Sequence, residues 1–214
     1  MSSATDEMIA KTCKDRIDAL MNGGGRKILG IVGPPGCGKS TLAAALLQML
    51  GNDVVAVPMD GYHLANTELA RLGRAGRKGA EDTFDSAGYV ALLRRLRDQK
   101  IDEIVYAPEF RREIEEPIAN AIPVFPDTRL VITEGNYLLL DRGHWANIKA
   151  LLDEVWYVEV DHAVRHERLV QRHMQFGRSR SAAEDWVVHT DEPNAVQIDA
   201  TKGRADYLFR WEGD

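Results

Sequence analysis

Residues 33–40 read Gly33-Pro34-Pro35-Gly36-Cys37-Gly38-Lys39-Ser40 and match the pattern G-x-x-x-x-G-K-[ST]. The segment follows an apolar run, Lys27 to Val32, and precedes a helix-like run from Ser40 to Leu50. A glycine-rich turn between strand and helix lets successive backbone N–H groups converge on one point, where the positive end of the helix dipole adds to them. This context predicts a phosphate-binding loop.

The loop residues have expected roles toward a nucleoside triphosphate. The Lys39 ammonium is expected to reach the β- and γ-phosphates, and the Ser40 hydroxyl is expected to bind Mg²⁺. Cys37 fills a permissive position, and we assign it no redox role. With ATP and Mg²⁺ as the expected cofactors, the predicted nucleotide-binding residues are Gly33, Pro34, Pro35, Gly36, Cys37, Gly38, Lys39, Ser40 and Thr41.

Length and composition fit one ordinary globular domain. The chain has 214 residues, 44% hydrophobic and 28% charged, and at ~150 residues per domain we expect a single domain, 1–214, with insertions. No apolar run approaches the ~18 residues of a membrane helix, and charged residues interrupt positions 1–20, where a signal peptide needs an apolar core. Two cysteines are too few for a disulfide framework. We therefore expect a cytoplasmic protein with no membrane insertion.

The charge pattern argues against a long polyanion as partner. The net charge is −6, so we expect no nucleic-acid binding. Two basic islands stand out, one with Arg71, Arg74, Arg77 and Lys78, and one over residues 165–180. They indicate local sites for small anions, with a solvated surface as the alternative for the first island.

The order of elements predicts an α/β fold. Apolar segments at 27–32, 129–133 and 155–160 alternate with helix-like stretches. Strands that are apolar on both faces imply a parallel sheet covered by helices on both sides. We predict the three-layer sandwich of P-loop NTPases, with a five-stranded parallel core sheet. Ligands bind such sheets at the carboxyl ends of the strands.

Several further elements are predicted from local patterns. We expect a strand over 53–59, short extended pieces at 103–107 and 122–125, and a helix over 145–152. Asp161 is the expected N-cap of the following helix. A capping box predicts that one more helix opens at Ser181-Ala182-Ala183-Glu184.

The end of the strand before Gly135 helps to separate the classes of nucleotide-binding protein. It finishes in Glu134, a single carboxylate that can hold Mg²⁺ directly or through water. ATPases typically carry an Asp-Glu pair at this place, and the Asn-Lys-x-Asp segment of GTPases does not occur in the sequence. The pattern favours a phosphotransferase.

Asp60 is the candidate catalytic carboxylate. It follows the predicted strand 53–59 and begins Asp-Gly-Tyr-His, so it is expected near the γ-phosphate. There it can orient an attacking hydroxyl in line and accept its proton. The alternative is that Asp60 only ends the strand or binds Mg²⁺ through water. His63 either contacts substrate or caps the loop.

Arginines recur at helical spacing in the second basic island. Arg165, Arg168 and Arg172 lie at i, i+3 and i+7 and share one helix face within about 60° of arc. We predict an arginine-rich lid over about 162–192, because several guanidiniums can stabilise the charge that builds during phosphoryl transfer. A solvated helix face is the alternative.

The assembled motifs resemble the uridine kinase, pantothenate kinase and phosphoribulokinase branch of P-loop kinases. Within it they most resemble bacterial proteins described as fructose-transport-system kinases. The phosphate loop marks only the superfamily, whereas its combination with Asp-Gly, Glu-Gly and an arginine-rich lid is far more specific. The matching pieces, spread over most of residues 27–210, are GPPGCGKST (33–41), PMDGYH (58–63), DTFD (82–85), VYAPEFRR (105–112), ITEGNYLL (132–139) and RLVQRHMQFGRS (168–179).

The resemblance implies catalytic and metal-binding roles. Asp60 resembles the catalytic aspartate, and Glu134 resembles the acidic residue near the metal, so Ser40 and Glu134 form the predicted metal site. Arg168 and Arg172 resemble lid arginines that contact the ATP phosphates. The predicted catalytic residues are Lys39, Asp60, Arg168 and Arg172.

The resemblance also implies an acceptor site within insertions at about 61–85 and 105–125. Tyr106 and Arg111 fall where these kinases hold the acceptor, and Arg178 resembles an arginine that closes over it. The segment 201–204 is expected to flank the adenine. Together with two polar residues beside the strand ends, the predicted substrate set is His63, Tyr106, Arg111, Asn136 and Arg178.

The identity of the acceptor does not carry over from the resemblance. The segments 64–81 and 109–121 differ from those of true uridine or pantothenate kinases, and they are the places that would select the acceptor. If Arg71, Arg74 and Arg77 face the cleft, an anionic acceptor such as a sugar phosphate is expected. If they face solvent, a neutral sugar or nucleoside is equally plausible, held by Asp60, His63, Tyr106 and Asn136.

The sequence thus predicts a kinase that transfers the γ-phosphoryl group of ATP to a hydroxyl of a small metabolite, such as fructose, a nucleoside or a pantothenate-like acid. The alternative is a nucleotide-binding regulator tied to a sugar transport system, with little catalysis. An AAA-like ATPase is disfavoured by the missing Asp-Glu pair and C-terminal helical domain. A homodimer or homotetramer is compatible with the sequence, which does not fix the oligomeric state.

Overall fold

A computed structural model describes residues 4–211, without the side chains of residues 4–10 and Asn52. The ends of the predicted domain, residues 1–3 and 212–214, lie outside the described residues. The elements in chain order are α1 (Ala4–Met21), β1 (Lys27–Val32), α2 (Lys39–Leu50), β2 (Val54–Ala56), α3 (Asn66–Arg71), α4 (Ser86–Arg97), β3 (Val105–Arg111), β4 (Glu116–Val124), β5 (Leu130–Gly135), β6 (Glu154–Glu159), α5 (His162–Gln175), α6 (Arg180–Trp186), α7 (Glu192–Asp199) and β7 (Tyr207–Arg210).

Five strands form one parallel sheet in the order β2-β5-β1-β6-β7. Strand β1 lies between β5 and β6, so the strands that follow it in sequence lie on both sides of it within the sheet. The carboxyl end of such a central strand is where α/β sheets bind ligands. Strand β5 is buried at every position, which fits the apolar run Leu130-Val131-Ile132 with which it begins. The predicted parallel five-stranded sheet is confirmed.

The core lies on both faces of this sheet. Side chains alternate along a strand, so Ile28 and Val32 of β1 join one apolar cluster while Leu29 and Ile31 join the other. The first cluster includes the buried face of α4, and the second includes that of α2. This arrangement gives the predicted three layers. Within residues 4–211, no helix combines the length and apolarity needed to cross a membrane.

Two predicted elements around the sheet are corrected. Strand β2 ends at Ala56 instead of continuing to residue 59, because Pro58 leads into a 3-10 turn over Met59–Tyr62. The predicted helix over 145–152 is wrong. That segment forms 3-10 turns, in which the Leu151 N–H donates to the Ile148 carbonyl, and its buried Trp145 packs into the core.

Two further corrections concern the ends of elements. The extended pieces predicted at 103–107 and 122–125 are parts of a longer antiparallel pair, β3 and β4. Asp161 caps α5 as predicted, since its carboxylate accepts from the Ala163 N–H at 2.8 Å. The next helix opens two residues earlier than the capping box predicts, because the Ser179 hydroxyl accepts from the Ala182 N–H. A π-helical turn, Val187–Asp191, then joins α6 to α7.

Candidate active site

A cavity of about 1170 Å³ opens at the carboxyl ends of the sheet strands. The phosphate loop after β1, the turn after β2, the end of β5, helix α5 and the tip of the β3–β4 hairpin all contribute to it. The lining includes Pro35, Gly36, Gly38, Lys39, Ser40, Thr41, Asp60, His63, Lys78, Phe84, Phe110, Arg112, Glu134, Asn136, Arg168, Arg172, Arg178 and Trp211.

The phosphate loop is held by contacts within itself. The Lys39 ammonium donates to the carbonyl oxygens of Gly33, at 3.0 Å, and Pro34, at 3.1 Å, and its side chain is buried. Gly38 has φ +95°, and a Cβ there would lie 2.6 Å from the Trp211 indole nitrogen. The loop is therefore a tight cradle whose inner surface is backbone, as phosphate binding requires.

Not every predicted loop residue faces the cavity. Gly33, Pro34 and Cys37 are absent from its lining and support the loop from behind. Cys37 is fully buried, and burial raises the pKa of its thiol. The thiol therefore remains protonated at neutral pH and fills space behind the cradle.

Ser40 and Glu134 meet at the base of the cradle. The Ser40 hydroxyl donates to Glu134 Oε1 at 2.9 Å. Burial raises the pKa of Glu134, and the nearby charge of Asp60 raises it further. A hydroxyl and a carboxylate that needs a compensating cation are hard oxygen ligands of the kind that Mg²⁺ takes. The described residues contain no cluster of three or more metal-ligating side chains, so phosphate oxygens and water would complete the coordination of such an ion.

Asp60 lies in the turn after β2 and faces the same cavity as Lys39. Its carboxylate Oδ2 is 3.5 Å from an Arg112 guanidinium nitrogen of the hairpin tip. The adjoining Gly61 touches the hairpin directly, because a Cβ at this position would overlap the Pro108 carbonyl oxygen. The main chain leading to the turn is held to β5 by the Val57 N–H, which donates to the Ile132 carbonyl at 2.8 Å.

His63 is fixed beside Asp60 between two aromatic rings. Its ring centroid lies 4.0 Å from that of Phe84 and 4.6 Å from that of Phe110. The imidazole Nδ1 is 2.8 Å from the main-chain carbonyl oxygen of Asp60. Burial lowers the pKa of His63. The side chain lines the cavity, as a substrate contact would.

The arginines of α5 divide into two groups. Arg165 is buried and pairs with Glu192 of α7 at 2.6 Å, so it joins two helices outside the cavity. Arg168 and Arg172 line the cavity. Burial and the nearby charge of Arg112 lower the pKa of Arg172. Arg165 therefore has the helical spacing of the cavity arginines but does not line the cavity.

Arg178 follows α5 and also lines the cavity. Its guanidinium lies over the Trp186 ring, 3.9 Å from the ring centroid. Stacking on an indole holds the planar guanidinium in one orientation without neutralising it. Asn136, after β5, faces the same space.

Two predicted acceptor residues lie outside the cavity. Tyr106 and Arg111 are exposed, and Arg111 pairs with Glu109 on the hairpin surface at 2.6 Å. For Arg111 the physical reason is a bulge between Ala107 and Glu109, which shifts the alternation of inward and outward residues after it. Tyr106 lies before the bulge, between the buried Val105 and Ala107, and faces outward by the regular alternation of a strand. Phe110 and Arg112 consequently face the cavity in their place.

The first basic island supplies only Lys78 to the cavity. Arg71 pairs with Glu68 at 2.6 Å, and both Arg74 and Arg77 pair with Asp82. These arginines are neutralised on the surface of their own segment. No feature of the sequence shows that Lys78, and not the three arginines of the island, lines the cavity. Which residue does so depends on how the segment folds back on the hairpin.

The expected adenine segment, 201–204, is also absent from the cavity lining. Trp211, just after β7, lies there instead, beside Gly38 of the phosphate loop. Its indole N–H is buried and has no hydrogen-bond partner among the described residues. A sequence signal existed, since a tryptophan directly after a strand lies at the ligand-binding edge of a parallel sheet.

Comparison with known proteins finds a matching family and several similar kinases. A model of the phosphoribulokinase / uridine kinase family matches residues 28–212. A "putative uridine kinase" of Schizosaccharomyces pombe is 35% identical over 81% of this chain and 77% of that protein. The "ATP-dependent kinase-like protein notR'" of Aspergillus versicolor is 39% identical over 65% of this chain and 86% of that protein.

A solved structure covers nearly the whole chain. It is the crystal structure of a "putative fructose transport system kinase" from Silicibacter sp. TM1040. That protein is 38% identical and superimposes with a TM-score of 0.84 over 94% of this chain and 98% of its own.

Proposed function

The chain belongs to the phosphoribulokinase / uridine kinase family of P-loop kinases, and from this premise we propose that it transfers the γ-phosphoryl group of ATP to a hydroxyl of a small metabolite. One observation carries the proposal. Asp60 faces the same cavity as the phosphate-loop Lys39, and the cavity is large enough for a nucleotide and a small acceptor together.

Asp60 is proposed as the proton acceptor. The acceptor oxygen forms a bond to the γ-phosphorus, the bond from that phosphorus to the β,γ-bridging oxygen breaks, and ADP leaves. The hydroxyl proton passes to the Asp60 carboxylate. Because the transition state of phosphoryl transfer is largely dissociative, the main contribution of Asp60 is to orient the hydroxyl in line.

Ser40 and Glu134 would hold Mg²⁺ on the phosphates. When bound, this ion would neutralise the negative charge of the phosphates. Lys39 binds the β- and γ-phosphates, exchanging its present bonds to the Gly33 and Pro34 carbonyls for bonds to the nucleotide. The raised pKa of Glu134 means that its charged form is incompletely compensated in the free protein, and a bound cation would supply that compensation.

The cationic side chains of α5 and of the segment after it are proposed to stabilise the transferred phosphoryl group. Arg168 and Arg172 of α5 are proposed to contact the phosphates, and Arg178 closes over the acceptor. The partly buried Arg172 guanidinium, with Arg112 nearby, is electrostatically suited to bind an anion. Segment 162–192 serves as the lid in this proposal.

The acceptor is proposed to be a small hydroxylated metabolite, with a sugar such as fructose, a nucleoside and a pantothenate-like acid as the first compounds to test. The fructose transport system label belongs to the Silicibacter relative. Three arginines of the basic island do not line the cavity, which supports a neutral acceptor over one held by that island.

The test is ADP release from the full chain with ATP, Mg²⁺ and an acceptor panel. Asp60→Asn should lower kcat by about 10²-fold or more with little change in ATP affinity. Asp102→Asn, on an exposed residue outside the cavity, is the matched control and should retain full activity.

Two outcomes would contradict the proposal. Equal loss of ATP affinity and rate in Asp60→Asn would remove this residue from the role of base. Tight ATP binding without transfer to any acceptor would favour a nucleotide-binding regulator tied to sugar transport. ATP hydrolysis without acceptor should be slow.

A further inference from the structure

Arg112 brings a positive charge from the hairpin tip to the groups proposed to carry the reaction. Its guanidinium is 3.5 Å from Asp60 Oδ2. Burial is the main influence on the pKa of three other cavity side chains, and the Arg112 charge lowers the pKa of each in addition; they are His63, Glu134 and Arg172. The guanidinium therefore lies among these groups and not on the outer surface of the hairpin.

The ion pair engages the carboxylate that the proposed reaction uses. Among the residues that the structure describes, Arg112 carries the only cationic group within 4.0 Å of the Asp60 carboxylate. A carboxylate beside a guanidinium is favoured in its charged form, so it takes up a proton less readily than a carboxylate without a cation. While the pair persists, Asp60 is a poor proton acceptor for any hydroxyl that approaches it.

Water and the acceptor differ in their ability to displace the guanidinium. Both carry a hydroxyl that can approach Asp60 in the same cavity, so hydrolysis of ATP competes with transfer to the acceptor. An acceptor also contacts the rest of the cavity, and the binding energy of those contacts can offset the loss of the ion pair. A water molecule makes no such contacts, so it meets Asp60 in its paired state.

We propose that Arg112 determines specificity against water, because its guanidinium holds Asp60 until a bound acceptor displaces it. This inference rests on the proposed kinase function. In the side reaction that the ion pair suppresses, the water oxygen bonds to the γ-phosphorus and the bond from that phosphorus to the β,γ-bridging oxygen breaks. A water proton passes to Asp60, and the products are ADP and inorganic phosphate.

The first test needs no identified acceptor, because it measures the inorganic phosphate that the full chain releases from Mg²⁺–ATP alone. The variants are Arg112→Met, which removes the charge and keeps a long unbranched side chain, and Arg112→Lys, which keeps a positive charge. Arg111→Met is the matched control. It makes the same change at the adjacent residue, which lies outside the cavity and pairs with Glu109 at 2.6 Å.

We expect Arg112→Met to hydrolyse ATP about 3- to 5-fold faster than the wild-type chain, which is the factor expected for a partly exposed ion pair. Arg112→Lys should lie between the two, and Arg111→Met should equal wild type. Adding Asp60→Asn to Arg112→Met should abolish the increase, because the additional hydrolysis uses the Asp60 carboxylate. ATP affinity and Tm should be the same in all chains, which separates the effect from a folding defect.

Three results would overturn the inference and leave the kinase function standing. Hydrolysis by Arg112→Met could be unchanged or slower, the increase could persist in the double variant, or Arg111→Met could show the same increase. A second measurement uses an acceptor that the wild-type chain phosphorylates. Its kcat/KM should fall in Arg112→Met while hydrolysis rises, and a rise in both rates would also overturn the inference. Failure of the wild-type chain to phosphorylate any acceptor would overturn both proposals.

Discussion

The phosphate loop and the acceptor wall, which we define as His63, Phe84, Phe110 and Arg112, face each other across one cavity but are built differently. Lys39 makes its two hydrogen bonds within its own loop. Arg112, in contrast, reaches Asp60 from the tip of a hairpin formed by distant strands. The loop is a local structure, whereas the acceptor wall exists only once separate segments have packed together.

This difference predicts where mutations act. Changes in the loop should abolish all chemistry whatever the acceptor, while changes in the acceptor wall should alter acceptor use and leave nucleotide binding intact. Four experiments test the contrast.

Lys39→Ala should have the largest effect. The ammonium is the only side-chain cation that the structure places within the loop among the described residues, so its loss should lower kcat by at least about 10³-fold for every acceptor. The measurement is steady-state ADP release, with the thermal melt as a check on folding. Unchanged turnover would contradict the phosphate-loop assignment.

Gly38→Ala should disable the loop through its backbone. The φ of +95° strains any residue with a Cβ, and that Cβ would meet the Trp211 indole. A strain of about 1–3 kcal/mol corresponds to a loss of ATP affinity of roughly 10- to 100-fold, measured by calorimetry. Gly203→Ala is the control, because a Cβ there meets open space. Equal affinities of the two variants would refute the role of Gly38.

Arg112→Ala and Arg111→Ala are a matched pair of variants, because the two arginines are adjacent in sequence and only Arg112 lines the cavity. Removing Arg112, which faces Asp60, should lower kcat/KM for the acceptor by about 10-fold, while the Arg111 variant should stay within about 2-fold of wild type. ATP affinity should not change in either. Equal losses in both variants would mean that the bulge does not determine which arginine serves the cavity.

The pH dependence of Mg²⁺–ATP binding should report on Glu134. Its pKa is raised in the free protein, and the metal requires the carboxylate, so affinity should fall severalfold as pH drops through that raised value and rise as pH increases. Glu134→Gln should bind more weakly and remove this part of the pH dependence. Identical profiles for both chains would assign the dependence to another group.

The same contrast explains what could be predicted from sequence. The loop, the sheet and the two carboxylates at its edge follow from short patterns whose residues are near neighbours, and the structure places Lys39, Asp60 and Glu134 at one cavity. Arg111 was misplaced because a bulge after Ala107 changes which residues face inward, and Tyr106 was misplaced because it alternates with the buried Val105 and Ala107. Such a bulge has no reliable local signal.

Two other residues were misjudged because their positions depend on contacts between distant segments. Arg165 matched the spacing of the cavity arginines, but its partner Glu192 belongs to α7 and pulls it into the protein. For Trp211, the position directly after a strand indicated the ligand-binding edge of the sheet, but the sequence does not show that β7 ends next to Gly38. Contacts between distant segments decided each case, and spacing along one helix or strand does not contain them.

The contact between Gly61 and the Pro108 carbonyl has a consequence for how acceptor choice can change. It is a contact of main chain against main chain, so the distance from the Asp60 turn to the hairpin does not depend on which side chains the hairpin carries. Exchanging residues at the hairpin tip can therefore yield new preferences without moving the catalytic carboxylate. A laboratory evolution library confined to the tip, with Gly61 and Pro108 kept, would preserve the phosphoryl-transfer step while varying its recipients.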